Sequence, residues 1–231
     1  RVKDRIGSKP KYVGFLLAIK KNGGLFSFEG LPPSVEYEGY LDHFKSGLSE
    51  LLDSYKSEEG SMPKKIGIHV TKDLREEERE TIREVFSEFN EDFDYYVAKV
   101  VGSSSIRLFD TTDPNYTIER GTCIQISKSS TITATSGKSD NSTVLGTPDP
   151  IYLKLQDSSE EYSPDPVEVS RQTYRLTSVN WSGIQTNVRY PVTIQSSRKI
   201  AKLISSMFGE EWDDTLSQIH KTNLKSSYWW Y

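Results

Sequence analysis

Cysteine is nearly missing from this chain. Cys123 stands alone among 231 residues, so no internal disulfide framework exists. It sits in Gly121-Thr-Cys-Ile-Gln-Ile126, where a small core residue of a strand is the expected role. Long apolar runs are missing as well. No stretch approaches the roughly 20 residues that a membrane helix needs, and no signal-peptide pattern opens the chain. A soluble cytoplasmic protein is therefore expected, although the sequence begins at Arg1 and not at Met. His43 and His220 have no Cys or Asp at ligand spacing, which argues against zinc. Phosphate-binding and dinucleotide fingerprints and the Gly-x-Ser-x-Gly elbow do not occur. An excess of basic charge is lacking too: the net charge is −4. That speaks mildly against nucleic-acid binding, whose usual footprint is a basic domain.

The distribution of charge softens this objection. Acids crowd into Glu58-Glu59, Glu76 to Glu80, Glu88 to Asp94 and Asp157 to Asp165. Between Gln185 and Lys202 stand Arg189, Arg198, Lys199 and Lys202 and no acid. A local basic groove on an acidic protein suffices to hold a strand.

Periodicity supplies the elements. Residues 11 to 30 alternate around Asn22-Gly23-Gly24 and read as a hairpin. Tyr40, Leu41, Phe44, Leu48, Leu51, Leu52 and Tyr55 fall at helical spacing within 37–56. Ile66, Ile68 and Val70 alternate in a strand over 65–70, with His69 near its end as a structural residue. A helix follows over 74–89, its first turn carrying Glu76-Glu77-Glu78 as the macrodipole favours. Strands are expected over 95–101, 122–127, 130–135 and 151–155. Residues 136–150 read as a mobile loop, 156–166 as an acidic linker, and helices are expected over 169–178, 193–208 and 211–220. With 231 residues the chain suits one large α/β domain or two small ones.

The most informative segment runs from Thr177 to Ile194. It links two amphipathic helices, and a plain turn would need only Gly, Pro and a cap. Instead it carries Asn180, Trp181, Gln185, Asn187 and Arg189, just ahead of a helix that Pro191 is placed to start. Amides, a cation and a positive helix end are suited to a phosphate backbone.

Thr177-Ser-Val-Asn-Trp-Ser-Gly followed by Arg189-Tyr-Pro-Val-Thr-Ile194 resembles a stretch of the PIWI domain of Argonaute proteins. Lys11-Tyr-Val-Gly-Phe-Leu-Leu-Ala-Ile-Lys20 with Asn22-Gly23-Gly24 resembles the first PIWI hairpin, and Pro63-Lys-Lys-Ile-Gly-Ile-His-Val70 the PIWI strand that ends in His. The pieces keep their order over roughly residues 10 to 210, most like the short or truncated prokaryotic Argonautes. The resemblance implies an RNase H-like mixed sheet flanked by helices, with a lead-in over 1–10, a PIWI domain over 11–231 and a tail over 221–231.

The resemblance also locates chemistry. An active PIWI nuclease holds two divalent ions with carboxylates. Here Leu16 and Thr71 stand where two of them belong, and the last ligand falls near Arg198 or Lys199. Leu and Thr do not hold a hard cation as carboxylates do, and a cation repels it. The expectation is an inactive domain that binds guide and target strands in prokaryotic defence and signals recognition to an effector protein. Asn180, Gln185, Asn187, Arg189, Gln195 and Lys202 are the expected phosphate contacts, positioning a strand without reading it. The resemblance further implies that Tyr231, ending Tyr228-Trp229-Trp230-Tyr231, offers its terminal carboxylate to the guide 5′-phosphate pocket and to a Mg2+ or Mn2+ ion there. A MID domain or MID-containing subunit would complete that pocket, and the chain is then a PIWI fragment or half of a split Argonaute. Two rival readings stand: a metal-dependent nuclease using Asp73 with Glu36 or Glu38, and a protein-interaction scaffold that keeps only the fold.

Overall fold

The computed structural model describes the chain except residues 1, 7–8, 90–92, 103–104, 139–149, 182, 184–187, 207–208, 223 and 231. Its contacts group into two units. The first comprises 1–64, 74–93 and 196–231, the second 65–73 and 94–195.

The first unit is built on β1 (Val2–Ile6), β2 (Lys9–Ile19) and β3 (Leu25–Ser34), an antiparallel sheet in that order. The expected hairpin is present. Gly23 takes φ 85°, a conformation open to glycine, and Asn22 Oδ1 accepts from the Gly24 N–H at 3.0 Å. Residues 2–6, read from the sequence as a lead-in, pair with β2 from Val2 opposite Val13 to Ile6 opposite Lys9. Two apolar residues in five positions are too weak a pattern to announce that strand.

Helix α1 (Tyr37–Glu59) lays Tyr40, Gly47, Leu48 and Leu52 inward and stops at Gly60, which takes the left-handed conformation at φ 77°. Gly47 is needed for close approach: a Cβ there would lie 2.5 Å from Leu31 Cδ2. Helix α2 (Glu76–Glu88) begins as the acid triplet foretells. Glu78 is buried, however, where its carboxylate accepts from the Arg75 N–H at 3.0 Å and from the Tyr40 hydroxyl at 3.4 Å. One acid thus caps the helix and ties it to α1.

The second unit is the mixed sheet. Strands β4 (Lys65–Val70), β5 (Asp94–Val101), β6 (Cys123–Ser127), β7 (Ser130–Thr133) and β8 (Ile151–Ser158) are ordered β4-β5-β8-β7-β6. Only β4 and β5 run parallel; every other pair is antiparallel. β6 is the edge, so Cys123 is half-buried there and not the core residue expected. Helix α3 (Pro166–Arg175) is capped by Asp165, whose carboxylate accepts from the Val167 N–H at 2.9 Å, with Pro166 in the first turn. A 3-10 turn, Leu176–Ser178, extends it. Tyr96, Ala98, Val100, Leu153, Val169 and Ile194 share one apolar core. Helix α4 (Val192–Ser206) is divided between the units after Gln195, and α5 (Gly209–Lys221) belongs to the first.

Candidate nucleic-acid interface

The polar segment that follows α3 is anchored at both ends. Its two legs meet where the Val188 N–H donates to the Thr177 carbonyl at 3.2 Å. Thr177 is fully buried and its hydroxyl donates to the Tyr174 carbonyl at 2.6 Å. The Arg120 guanidinium reaches the same hydroxyl at 2.9 Å, donates to the Thr135 carbonyl at 2.8 Å and lies over the Tyr174 ring. Nothing in the local sequence marks Arg120 for this work, because its partners lie 15 and 57 residues away.

The expected phosphate contacts can now be placed. Asn180 is half-buried between these anchored ends. Gln185 and Asn187 lie outside the described residues. Arg189 is half-buried; its guanidinium donates to the Gly102 carbonyl and lies 5.1 Å over the Tyr190 ring. Glu168 is held by Arg171 at 2.5 Å and by Gln172 at 3.2 Å. Tyr190 fills the space over Gly102, where a Cβ would overlap the ring. Pro191 stands just before α4, and its carbonyl accepts from the Ile194 and Gln195 N–H groups at 2.9 Å. Gln195 is half-buried on the first turns of α4, with no hydrogen-bond partner for its buried Oε1 among the described residues. Lys202 is exposed further along that helix, in the first unit. Arg189 thus precedes α4 and Gln195 stands in its first turns, and these two residues and Asn180 all belong to the second unit.

His69 has a structural position. Its Nδ1 is 2.8 Å from the Thr193 hydroxyl on α4, and its Nε2 is 3.4 Å from the Thr173 hydroxyl on α3. Burial lowers its pKa from 6.5 to about 4, so the ring is neutral at pH 7. It fixes the first turn of α4 against the sheet.

The positions tied to metal chemistry read as follows. Leu16 is half-buried in β2, opposite Glu29. Glu29 is a buried acid that sequence reasoning missed, paired with Lys225 at 2.5 Å. Thr71 is exposed just after β4. Asp73 pairs with Lys99 at 2.6 Å. Glu36 and Glu38 are exposed at the start of α1. Burial lowers the pKa of Lys199. Among the described residues no three His, Cys, Asp or Glu side chains come together as a metal would require.

The aromatic tail packs on the first unit's sheet. Trp229 and Trp230 lie 5.2 and 5.9 Å from Phe28, and the Tyr228 hydroxyl accepts from the Leu25 N–H at 3.4 Å. Tyr231, proposed for the 5′-phosphate pocket, lies outside the described residues.

No family model matches the chain, and no curated protein matches it by sequence. Solved structures do. The Marinitoga piezophila Argonaute in complex with 5′ OH guide RNA and target DNA shares 18% identity at a TM-score of 0.62, over 84% of this chain and 27% of that one. The Clostridium butyricum Argonaute bound to a guide DNA and a 19-mer target DNA shares 18% at 0.61, over 87% and 28%. The Aquifex aeolicus Argonaute shares 22% at 0.61, over 87% and 27%. At such identities the likeness is one of fold: the chain has the PIWI-like fold of prokaryotic Argonautes, an α/β architecture with a mixed sheet flanked by helices. It spans under a third of the length of these structures.

Proposed function

We propose that this chain is a catalytically inactive Argonaute PIWI domain that binds guide and target nucleic acid in prokaryotic defence. The observation that carries the reading is the fold, shared with Argonautes solved with guide and target strands, joined to a polar segment that sets Asn180 and Arg189 in the chain ahead of α4 and Gln195 in that helix's first turns. Gln185, Asn187 and Lys202 are further phosphate contacts of the proposal. Leu16 and Thr71 in the carboxylate positions support inactivity, as does Lys99, which holds the Asp73 carboxylate at 2.6 Å. Binding would position the strands by their phosphates while base pairing supplies specificity. A MID domain or MID-containing subunit, a terminal carboxylate at Tyr231 and a Mg2+ or Mn2+ ion would complete the 5′-phosphate pocket. An effector protein would receive the signal, in the cytoplasm.

The test combines binding with cleavage. Matched guide and labelled target are added with Mn2+, with and without a MID-containing partner. The expected result is tighter binding with the partner, a preference for a 5′-phosphate over a 5′-hydroxyl, and intact target. Guide-dependent cleavage that Asp73→Ala abolishes would overturn the inactive reading. Absence of any strand binding in the complete assembly would favour the scaffold.

A further inference from the structure

The connection between β5 and β6 has a feature that the guide contacts do not use. Leu108 and Ile118 are buried in a shared apolar cluster with Ile132 and Ala134, and so pin the two legs of the loop. Inside these pins the chain turns two rings outward: Phe109 is 56% and Tyr116 58% exposed. Neither ring has an aromatic or cationic partner among the described residues.

The loop between them is braced. The Asp110 N–H donates to the Tyr116 carbonyl at 3.3 Å, and the Tyr116 N–H to the Asp113 carbonyl at 2.9 Å. These bonds set the two outward residues at the mouth of one closed turn. The Asp110 carboxylate accepts from the Thr112 N–H and hydroxyl at 2.8 and 2.6 Å. One Asp113 oxygen accepts from the Asn115 N–H at 2.8 Å, and the other pairs with Lys138 at 3.1 Å. Tyr116 adopts φ 56°, the single non-glycine residue with positive φ among those described. A tyrosine held there is strained, and strain of this kind gathers at binding sites.

Both carboxylates accept from the loop's own N–H groups and Lys138 balances the charge of Asp113, while the two rings face the solvent. Scattered exposed aromatics need no explanation. Two at one mouth, on a braced and strained turn, are pre-set for a ligand with a flat face. We propose that Phe109 and Tyr116 form a stacking platform for unpaired bases of a single-stranded stretch of nucleic acid. The proposal rests on the nucleic-acid reading above. Stacking tolerates any base, so the platform would add affinity without sequence preference. Its contribution would not depend on salt, unlike that of phosphate contacts.

The experiment uses the full protein and a labelled single strand at several salt concentrations. The variants are Phe109→Ala with Tyr116→Asn, because Asn accepts a positive φ and preserves the turn. Phe109→Tyr with Tyr116→Phe keeps both rings as the control. The expected result is roughly a tenfold loss of affinity per ring removed at every salt, with an unchanged slope against log salt and wild-type binding by the control. A strand carrying 5-iodouracil should crosslink on irradiation to residue 109 or 116, mapped by mass spectrometry. Wild-type binding that survives removal of both rings, or crosslinks mapped only elsewhere, overturns the platform and leaves the wider reading standing. If the wild-type protein binds no strand even with a MID-containing partner present, the nucleic-acid reading falls and the platform with it.

Discussion

In the first unit the sheet is held by bulk. Phe28 is fully buried among Phe15, Trp229 and Trp230, and Trp212 is 1% exposed with its indole N–H donating to the Leu31 carbonyl. In the second unit α3 meets its sheet through Val169 in the apolar core and through a seam of hydroxyls. Thr131 on β7 donates to Ser170 on α3 at 3.0 Å, Thr133 lies 2.6 Å from the same oxygen, and all three residues are buried. Thr173 and His69 continue this polar seam. Bulk and hydroxyls stabilise by different physics. Large rings act through area removed from water and fail by leaving cavities. Buried hydroxyls add little net free energy when paired and cost much when one partner is lost.

The difference can be broken from either side. The largest effect is expected in the first unit. Trp212→Ala should destabilise the protein by about 3–5 kcal/mol, the range for deleting a fully buried ring. Chemical denaturation reads this directly, and a loss under 1 kcal/mol would mean that the site collapses freely around the smaller residue.

A smaller effect, with a distinctive pattern, is expected in the second unit. Ser170→Ala removes a group that two buried threonines face, and should cost about 1–3 kcal/mol. Replacing all three at once, with Ser170→Ala, Thr131→Val and Thr133→Val, should recover most of that loss, because no buried hydroxyl is then orphaned. Equal losses in the single and triple variants would mean that the seam acts through packing alone.

These contacts also separate what the sequence announces from what it conceals. The 65–70 strand, the acidic first turn of α2 and the place of Pro191 before α4 were all readable from period and punctuation, although the helix expected from residue 74 begins at Glu76. Each is decided by residues within a turn or two of one another. The pairing of Glu29 with Lys225 spans 196 residues, and that of Arg120 with Thr177 spans 57. No local pattern encodes such pairs. The edge position of β6 was equally hidden, since Cys-Ile-Gln-Ile-Ser reads the same in a central strand. Asn180 and Arg189 stand out in the sequence by residue type alone. The Gly102 carbonyl that receives Arg189 was not, because its own local sequence gives no sign of a partner 87 residues away.

The polar seam makes a further prediction, which the aromatic unit does not share. His69 is neutral in the folded protein, with its pKa lowered by burial from 6.5 to about 4. The unfolded chain takes up the proton near pH 6.5, whereas the folded one does not until about pH 4. The unfolded state therefore binds more protons across this window, and stability rises with pH through it. The stabilisation is complete above about pH 6.5 and is lost progressively as pH falls toward 4. At pH 5.5 the loss should be roughly 1 kcal/mol, or a melting shift of about 2–4 °C for a chain of this size. Other carboxylates titrate near the acid end, so the readout is a difference. Melting temperatures of wild type and His69→Gln are compared at pH 7.5 and 5.5. Gln keeps a donor and an acceptor for Thr173 and Thr193 but has no proton to gain. The wild type should lose more than the variant between the two pH values. If both lose equally, the ring is protonated in the folded state near its ordinary pKa, and the two threonine hydroxyls hold an imidazolium in place of a neutral imidazole.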